Sequence, residues 1–347
     1  MPDSRTTPEH SPAAAAAKPA ASLSIDLDNL WAYMRTAGLP GWQDYPSYFE
    51  AAVPRIRDCL DRSGVRLTVF VVGRDAARSE NRAQLAGLAS DGHEIASHSF
   101  EHESWLSRRS REVIAADIAR AEAAIERATG QRPVGFRGPS FGLSSHLLDV
   151  LMERGYLYDA STFPTLIGPL ARAYYNLRSG GSAEDRRARN LLFGSLADGL
   201  RPLAPYAWQS GTRRLVEIPV TTFPGLRTPI HLTYLIFLAG FSPALARTYL
   251  RTALRACRAA GIAPSLLLHP LEFLGVEDAP ALRFFPGLNV PLDVKLGVVE
   301  HALRMLAEQF RVLTLSDHAA LALAGGPLPT RRPGFQADTA VLEPAPT

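Results

Sequence analysis

The chain has 347 residues, 46% of them apolar and 20% charged, which excludes intrinsic disorder or a fibrous architecture for its bulk and leaves room for one large domain or two modest ones. Its 37 Lys and Arg stand against 34 Asp and Glu for a net charge of +3, with no basic run of the kind that tracks nucleic acid. Two widely separated cysteines, Cys59 and Cys257, exclude a disulfide framework and a thiolate zinc site, and they suit a reducing compartment.

Residues 1–21 read as a disordered Ala/Pro-rich tail without the basic start and apolar core of a secretion signal. The working domain is expected over 22–324. It opens on a strand, LSIDL, followed by a helix through PSYFEAAVPRIRDCLDRSG, a strand RLTVFVV and a helix through NRAQLAGLASDG. Next come the strand HEIAS, the helix SREVIAADIARAEAAIERATG, the strand VGFR, the helix SSHLLDVLMERG and the strand YLYDAS. Residues 163–213, with the polar piece RSGGSAEDRRAR inside apolar and aromatic sequence, read as an insertion above the sheet. The alternation resumes with VEIPV, the helix PALARTYLRTALRACRAAG, PSLLLH, a helix over 293–310 and RVLTLS, and the Pro-rich residues 325–347 read as a second disordered tail. Glycines close several helices, Gly64 and Gly130 among them, as left-handed C-caps require. The longest apolar stretch, 235–241, is too short to cross a membrane. Such strand–helix alternation predicts an α/β fold, either a barrel or a doubly wound sheet.

The chemically capable residues fall at the C-terminal ends of the strands. Asp26 and Asp28 close LSIDLD, His98 and His102 follow HEIAS, Arg137 ends VGFR, Asp159 ends YLYD and His269 ends SLLLH. In a parallel β/α barrel these ends converge on the face that holds the active site. Asp26 and Asp28 are two apart, so on a strand both carboxylates project to one side; the competing reading is a cap or a turn. His98 and His102 are four apart, so on a helical turn they would share a face and, with a carboxylate, a divalent ion with open coordination positions. A lone pair at this spacing is otherwise two packed or surface histidines. Ser99 after the first histidine excludes the HExxH peptidase signature. Arg137, in the rigid turn FRGPSFG, can orient an aspartate and keep it ionised. His269 is a candidate general acid.

In their order along the chain, the aspartate motif, HSFEH, RGP and LLLH resemble the polysaccharide deacetylase family, also called the NodB homology domain or carbohydrate esterase family 4, over about residues 23–160 and 214–320. The resemblance implies a distorted (β/α)7 barrel and a hydrolase acting on carbon–nitrogen bonds other than peptide bonds. It implies that Asp28, His98 and His102 hold a divalent metal, that Asp26 is the general base tethered by Arg137, and that His269 protonates the leaving amine. Leu266 would line the acetyl pocket, with Pro139, Phe141 and Asp159 also on the substrate side. Zinc suits two histidines and an aspartate, and cobalt, nickel, manganese and iron are the alternatives.

Leu27 separates two aspartates that are adjacent in the usual family motif, Ser140 is inserted before Phe141, and the fourth motif lacks its Trp near Asp159. The D-x-D arrangement is similar to the family's atypical, often non-secreted branch. The function expected is removal of an acetyl or formyl group from an amino sugar, cytoplasmic or at the inner face of the membrane, with a polyprenyl-phosphate-linked sugar as the specific candidate. Apolar and aromatic residues over 166–175 and 234–241, with Arg172, Arg178 and Arg227, suggest peripheral membrane contact or, equally, cover for the barrel or a dimer face. The alternatives are a deacylase of a soluble sugar or small amide, an inactive carbohydrate-binding barrel, and a glycosidase using the two aspartates.

Overall fold

The computed structural model describes residues 18–167, 196–285, 287–335 and 338. Among the described residues ten strands form one sheet: β1 (Ala20–Leu27), β2 (Thr68–Val71), β3 (Glu94–Ser97), β4 (Gly135–Phe136), β5 (Tyr158–Asp159), β6 (Tyr206–Ser210), β7 (Arg213–Glu217), β8 (Ser265–Leu268), β9 (Arg311–Leu313) and β10 (Thr330–Arg331). Their order is β10-β6-β7-β5-β4-β3-β2-β1-β8, with β9 also on β1, and every pairing except β6–β7 is parallel. The seven strands from β7 through β1 to β8 are the expected α/β barrel staves. Just past β7, Thr221 bridges the two edge staves: its N–H donates to the Ser265 carbonyl at 2.9 Å, and its Oγ1 accepts the Ser265 N–H at 2.8 Å.

Strand alternation separates two environments. On β1, Leu23, Ile25 and Leu27 join the outer core against the helices, while Ser24 and Asp26 face the polar interior. That outer core is lined by helices such as Phe49–Ser63, Pro243–Ala259 and Leu292–Gln309. The barrel interior holds Phe70, Ala96, Tyr158 and Val216, and it is plugged at the strands' N-terminal ends by Leu315 and Ala319 of the helix Leu315–Ala324. The Leu315 N–H donates to Thr68 Oγ1 at 2.8 Å, fixing that plug. Gly135 is a close-approach position: a Cβ there would lie 2.0 Å from the Tyr158 ring. Helix Arg111–Thr129 runs from an Ser110 cap to Gly130 at φ 75°, where glycine avoids the Cβ clash of left-handed backbone.

Three boundaries differ from the sequence expectation. Residues 206–213, assigned to the insertion, form β6 and the start of β7, a hairpin turning at Gly211 whose Tyr206 and Trp208 are buried. The segment 325–335, assigned to a disordered tail, docks: β10 adds to β6, the Pro329 carbonyl accepts the Ala207 N–H at 2.9 Å, and Phe335 packs 5.2 Å from Trp208. Proline forbids a helix there but not an edge strand. β7 also ends at Glu217, earlier than VEIPV suggested, because Pro219 lacks a ladder donor. Residues 168–195, the larger part of the expected insertion, and residues 1–17 lie outside the described residues.

Candidate active site

The strand ends converge as the sequence predicted, and the first centre is built from three donors. Asp28, His98 and His102 are buried, and one ligand-capable atom from each lies within 4.8 Å of the others. Asp28 Oδ1 is 3.0 Å from His102 Nε2 and 3.4 Å from His98 Nε2. His98 Nδ1 is 2.6 Å from the Arg137 carbonyl, which can only accept, so this nitrogen carries the hydrogen. In the neutral ring the Nε2 lone pair then faces a carboxylate oxygen, an arrangement that a proton or a metal ion between them would relieve. Two imidazoles and one carboxylate are a fitting donor set for a divalent ion with open positions.

The histidines do not meet on a helical turn, contrary to the spacing argument. Residues 98–102 form a loop after β3 in which Ser99 (φ 64°) and His102 (φ 48°) are left-handed. Each such non-glycine residue costs about 1–2 kcal/mol. The loop is held by Asp117, whose buried carboxylate accepts the Phe100 N–H at 2.8 Å and the Glu101 N–H at 3.1 Å. Burial raises the Asp117 pKa to about 6 against those two hydrogen bonds. Asp117 was missed at the sequence level, although an acid on the buried face of an amphipathic helix was its visible signal.

The second centre is Asp26. Its Oδ1 accepts from Arg137 Nη1 at 2.6 Å, and its Oδ2 lies 3.9 Å from His269 Nε2. Arg137 is fully buried, donates from Nε to the Ala160 carbonyl at 2.9 Å and from Nη1 to Ser24 Oγ at 3.0 Å, and stacks 4.2 Å from the Phe70 ring centre. One residue thus anchors both centres, its side chain holding Asp26 and its carbonyl holding His98.

His269 has a support that the sequence reading did not find. Thr233 Oγ1 donates to Glu272 Oε1 at 2.7 Å, so towards His269 Nδ1, 3.2 Å away, the same hydroxyl can only accept. The hydrogen is therefore fixed on Nδ1, and Nε2, the atom facing Asp26, is the one that titrates. Burial disfavours the imidazolium, but its hydrogen bond to the Glu272 carboxylate and the charges of Asp26 and Glu272 outweigh it and raise the His269 pKa. Glu272, three residues after the histidine, was legible as an acid beside the LLLH motif. His231, also missed, lies 6.4 Å ring to ring from His269 and is pushed down to about 3 by burial and then by His269, so it stays neutral.

The remaining expected residues divide. Ser140 (φ 54°) and Phe141 (φ 58°) are consecutive left-handed residues that absorb the inserted Ser140. Phe141 then lies 5.0 Å from Phe163, which lies 5.6 Å from His231, an aromatic wall leading to His269. Pro139 is buried in the turn below it. Leu266 does not join the site: it packs in the outer core with Leu23, and the two-residue alternation of β8 gives Leu267, not Leu266, the parity of His269. Asp159 is also corrected as a substrate contact. It is fully buried, accepts the Ser161 hydroxyl at 2.7 Å, and shares a hydrogen bond with Glu217, whose pKa is held well above the carboxylate range by burial and by the Asp159 charge. Ser161 in turn accepts the Gly138 N–H at 2.8 Å, so Asp159 braces the turn carrying Arg137.

Comparison with known proteins points to the same family and fold. Residues 41–158 match the polysaccharide deacetylase family. That span holds His98, His102 and Arg137, while Asp26, Asp28 and His269 lie outside it. A peptidoglycan deacetylase-like protein of Gibberella zeae is 29% identical over 163 residues, 44% of this chain and 45% of that protein. The chain therefore spans just under half the length of that curated relative. A protein assigned as a polysaccharide deacetylase from Mycobacterium smegmatis is 22% identical with a TM-score of 0.57 over 92% of this chain and all of the other. One so assigned from Pseudomonas aeruginosa is 17% identical with a TM-score of 0.54 over 90% and 93%. At these identities the likeness establishes the fold.

Proposed function

We propose that this chain, which carries a polysaccharide deacetylase domain, is a metal-dependent hydrolase that removes an N-acyl group, acetyl or formyl, from an amino sugar. The observation that carries the reading is the division of labour between two aspartates: Asp28 faces two imidazole nitrogens, while Asp26 lies between a buried guanidinium and His269. A divalent ion held by Asp28, His98 and His102 would polarise the acyl carbonyl and acidify a water. Asp26, aimed by Arg137, accepts a proton from the water as the water oxygen adds to the carbonyl carbon. His269 delivers a proton from Nε2 to the departing nitrogen as the C–N bond breaks, which releases the amine and a carboxylic acid. The aromatic wall from Phe141 to His231 excludes water on one side. A glycosidase is disfavoured because Asp28 is committed to the histidines and cannot flank a glycosidic bond opposite Asp26.

Elemental analysis tests the metal. About one divalent ion per chain is expected in the wild type, lost together with acid release in Asp28→Ala and His98→Ala. A metal-free wild type, after supplementation, would leave an inactive binding barrel as the reading. Free acetate or formate, rather than a cleaved glycan, is the expected product.

Glu272→Gln gives a second test. The imidazolium of His269 is lost as pH rises through its pKa, and Glu272 raises that pKa, so the alkaline limb of the pH–rate profile should move to lower pH. Below the limb kcat should fall about tenfold from lost orientation. A uniform loss with an unmoved limb would reduce Glu272 to a structural role.

The specific substrate proposed is a sugar presented on a polyprenyl-phosphate at a membrane surface. Exposed Leu226 and Leu166, close to one another through Leu166 N–H donating to the Arg227 carbonyl at 3.1 Å, and exposed Phe237 on the helix that carries Thr233 support it. Leu235 and Ile236 do not contribute, being core residues, and Leu170, Tyr174, Tyr175, Arg172 and Arg178 lie outside the described residues. The buried, free thiols Cys59 and Cys257 support the cytoplasmic side. No helix among the described residues is long and apolar enough to cross a membrane.

A further inference from the structure

Helix Pro243–Ala259 carries Arg247, Arg251, Arg255 and Arg258 and no acidic residue. At about 100° per residue these four positions fall within an arc of about 80°, while Ala246, Leu250, Ala253, Leu254 and Cys257 occupy the buried face. All four arginines are exposed, and among the described residues none has a hydrogen-bond or ion-pair partner for its side chain. Other arginines of the chain are paired with acids, as at Arg55–Asp278, Arg57–Asp91 and Arg154–Glu122, whereas here four unpaired ones share one helix face. Exposed Arg304, from the helix Leu292–Gln309, extends the stripe. The proton affinity of His301 between these helices is lowered by burial and then by Arg247, Arg304 and Arg251, with Glu308 opposing.

The second observation adjoins the first. Where helix Leu232–Ala239 turns into Pro243–Ala259, Phe241 is 75% exposed, Leu245 49% and Phe237 36%. The Phe237 and Phe241 rings lie 5.3 Å apart, and Tyr234 stacks on Phe237 at 6.3 Å, forming a ladder that starts beside Thr233 and hence beside His269. A soluble polyanion would use the arginines but has no use for bare phenyl rings at their edge. An anionic bilayer uses both, cations at the headgroups and rings at the acyl boundary.

We propose that the helices Leu232–Ala239 and Pro243–Ala259 form a docking face for an anionic lipid bilayer, with Arg247, Arg251, Arg255 and Arg258 at headgroup level and Phe237, Phe241 and Leu245 entering the interface. This deepens the membrane-presented substrate reading, because the same short helix links the docking face to the proton donor.

The test is co-sedimentation of the full chain with vesicles of phosphatidylcholine alone and with about one third phosphatidylglycerol. Wild type should sediment only with the anionic vesicles. The triple variant Arg251→Gln, Arg255→Gln, Arg258→Gln should partition about 100-fold more weakly and Phe241→Ser about tenfold more weakly. Both should retain wild-type metal content and acid release from a soluble N-acetylated amino sugar. No sedimentation of wild type, or variants that sediment like it, overturns the proposal. Binding to dextran sulfate with an indifferent Phe241→Ser also overturns it, in favour of a soluble polyanion. Failure of acid release would refute the deacylase reading alone and leave the vesicle result standing.

Discussion

Asp26→Asn is expected to lower kcat by about 10² to 10⁴, the range for a lost general base, with the divalent ion content unchanged. The amide preserves the shape and can still accept from Arg137, whose Nη1 lies 2.6 Å from Oδ1. What it loses is the capacity to take a proton at Oδ2, the oxygen on the His269 side. Metal content should hold because Asp28, not Asp26, faces His98 and His102. Steady-state kinetics beside elemental analysis decide the assignment. Activity within a few-fold of wild type would transfer the base role to another group, and loss of metal in this variant would mean that Asp26 is a ligand.

Arg137→Met should be the most damaging single substitution for the fold, destabilising it by about 3–5 kcal/mol, the cost of breaking a buried ion pair on one side. Arg137 is wholly buried and Asp26 nearly so, so little solvent screening reduces the figure. The substitution also strands the Ala160 carbonyl and Ser24 Oγ, both of which accept from Arg137. Urea unfolding measures the loss. Arg137→Lys should restore part of the stability but little of the activity, because an ammonium cannot serve Asp26, Ser24 and Ala160 from one planar fork. A stability change under about 1 kcal/mol for Arg137→Met would contradict the ion-pair account.

Much of the fold was legible because its signals are local. The apolar runs LSIDL, RLTVFVV and SLLLH, bounded by helices ending at glycine, marked β1, β2 and β8 within a few residues. Short helices such as Leu30–Ala37 and Leu232–Ala239 were not, since eight residues give barely two turns of periodicity. β6 and β10 were missed for a different reason: an edge strand is defined by the neighbour it pairs with, and Thr330–Arg331 has no strand character until β6 lies beside it.

The candidate site divides along the same line. The amino-acid sequence by itself determined which residues are candidates for the chemistry, because the strand-end positions of Asp26, Asp28, His98, Arg137 and His269 and the order of their motifs are one-dimensional facts. Only the tertiary structure decided what each of them faces. The left-handed loop that brings His98 and His102 together depends on Asp117 from the helix that follows it, and the pair Arg137–Asp26 joins residues 111 apart. Leu266 is carried to the outer core by strand parity, Asp159 is withdrawn into a buried pair with Glu217, and Thr233 comes to fix the His269 tautomer across 36 residues. Hydrogen bonds and burial act over a few ångströms in space, so partners remote along the chain are set by packing, which periodicity does not encode.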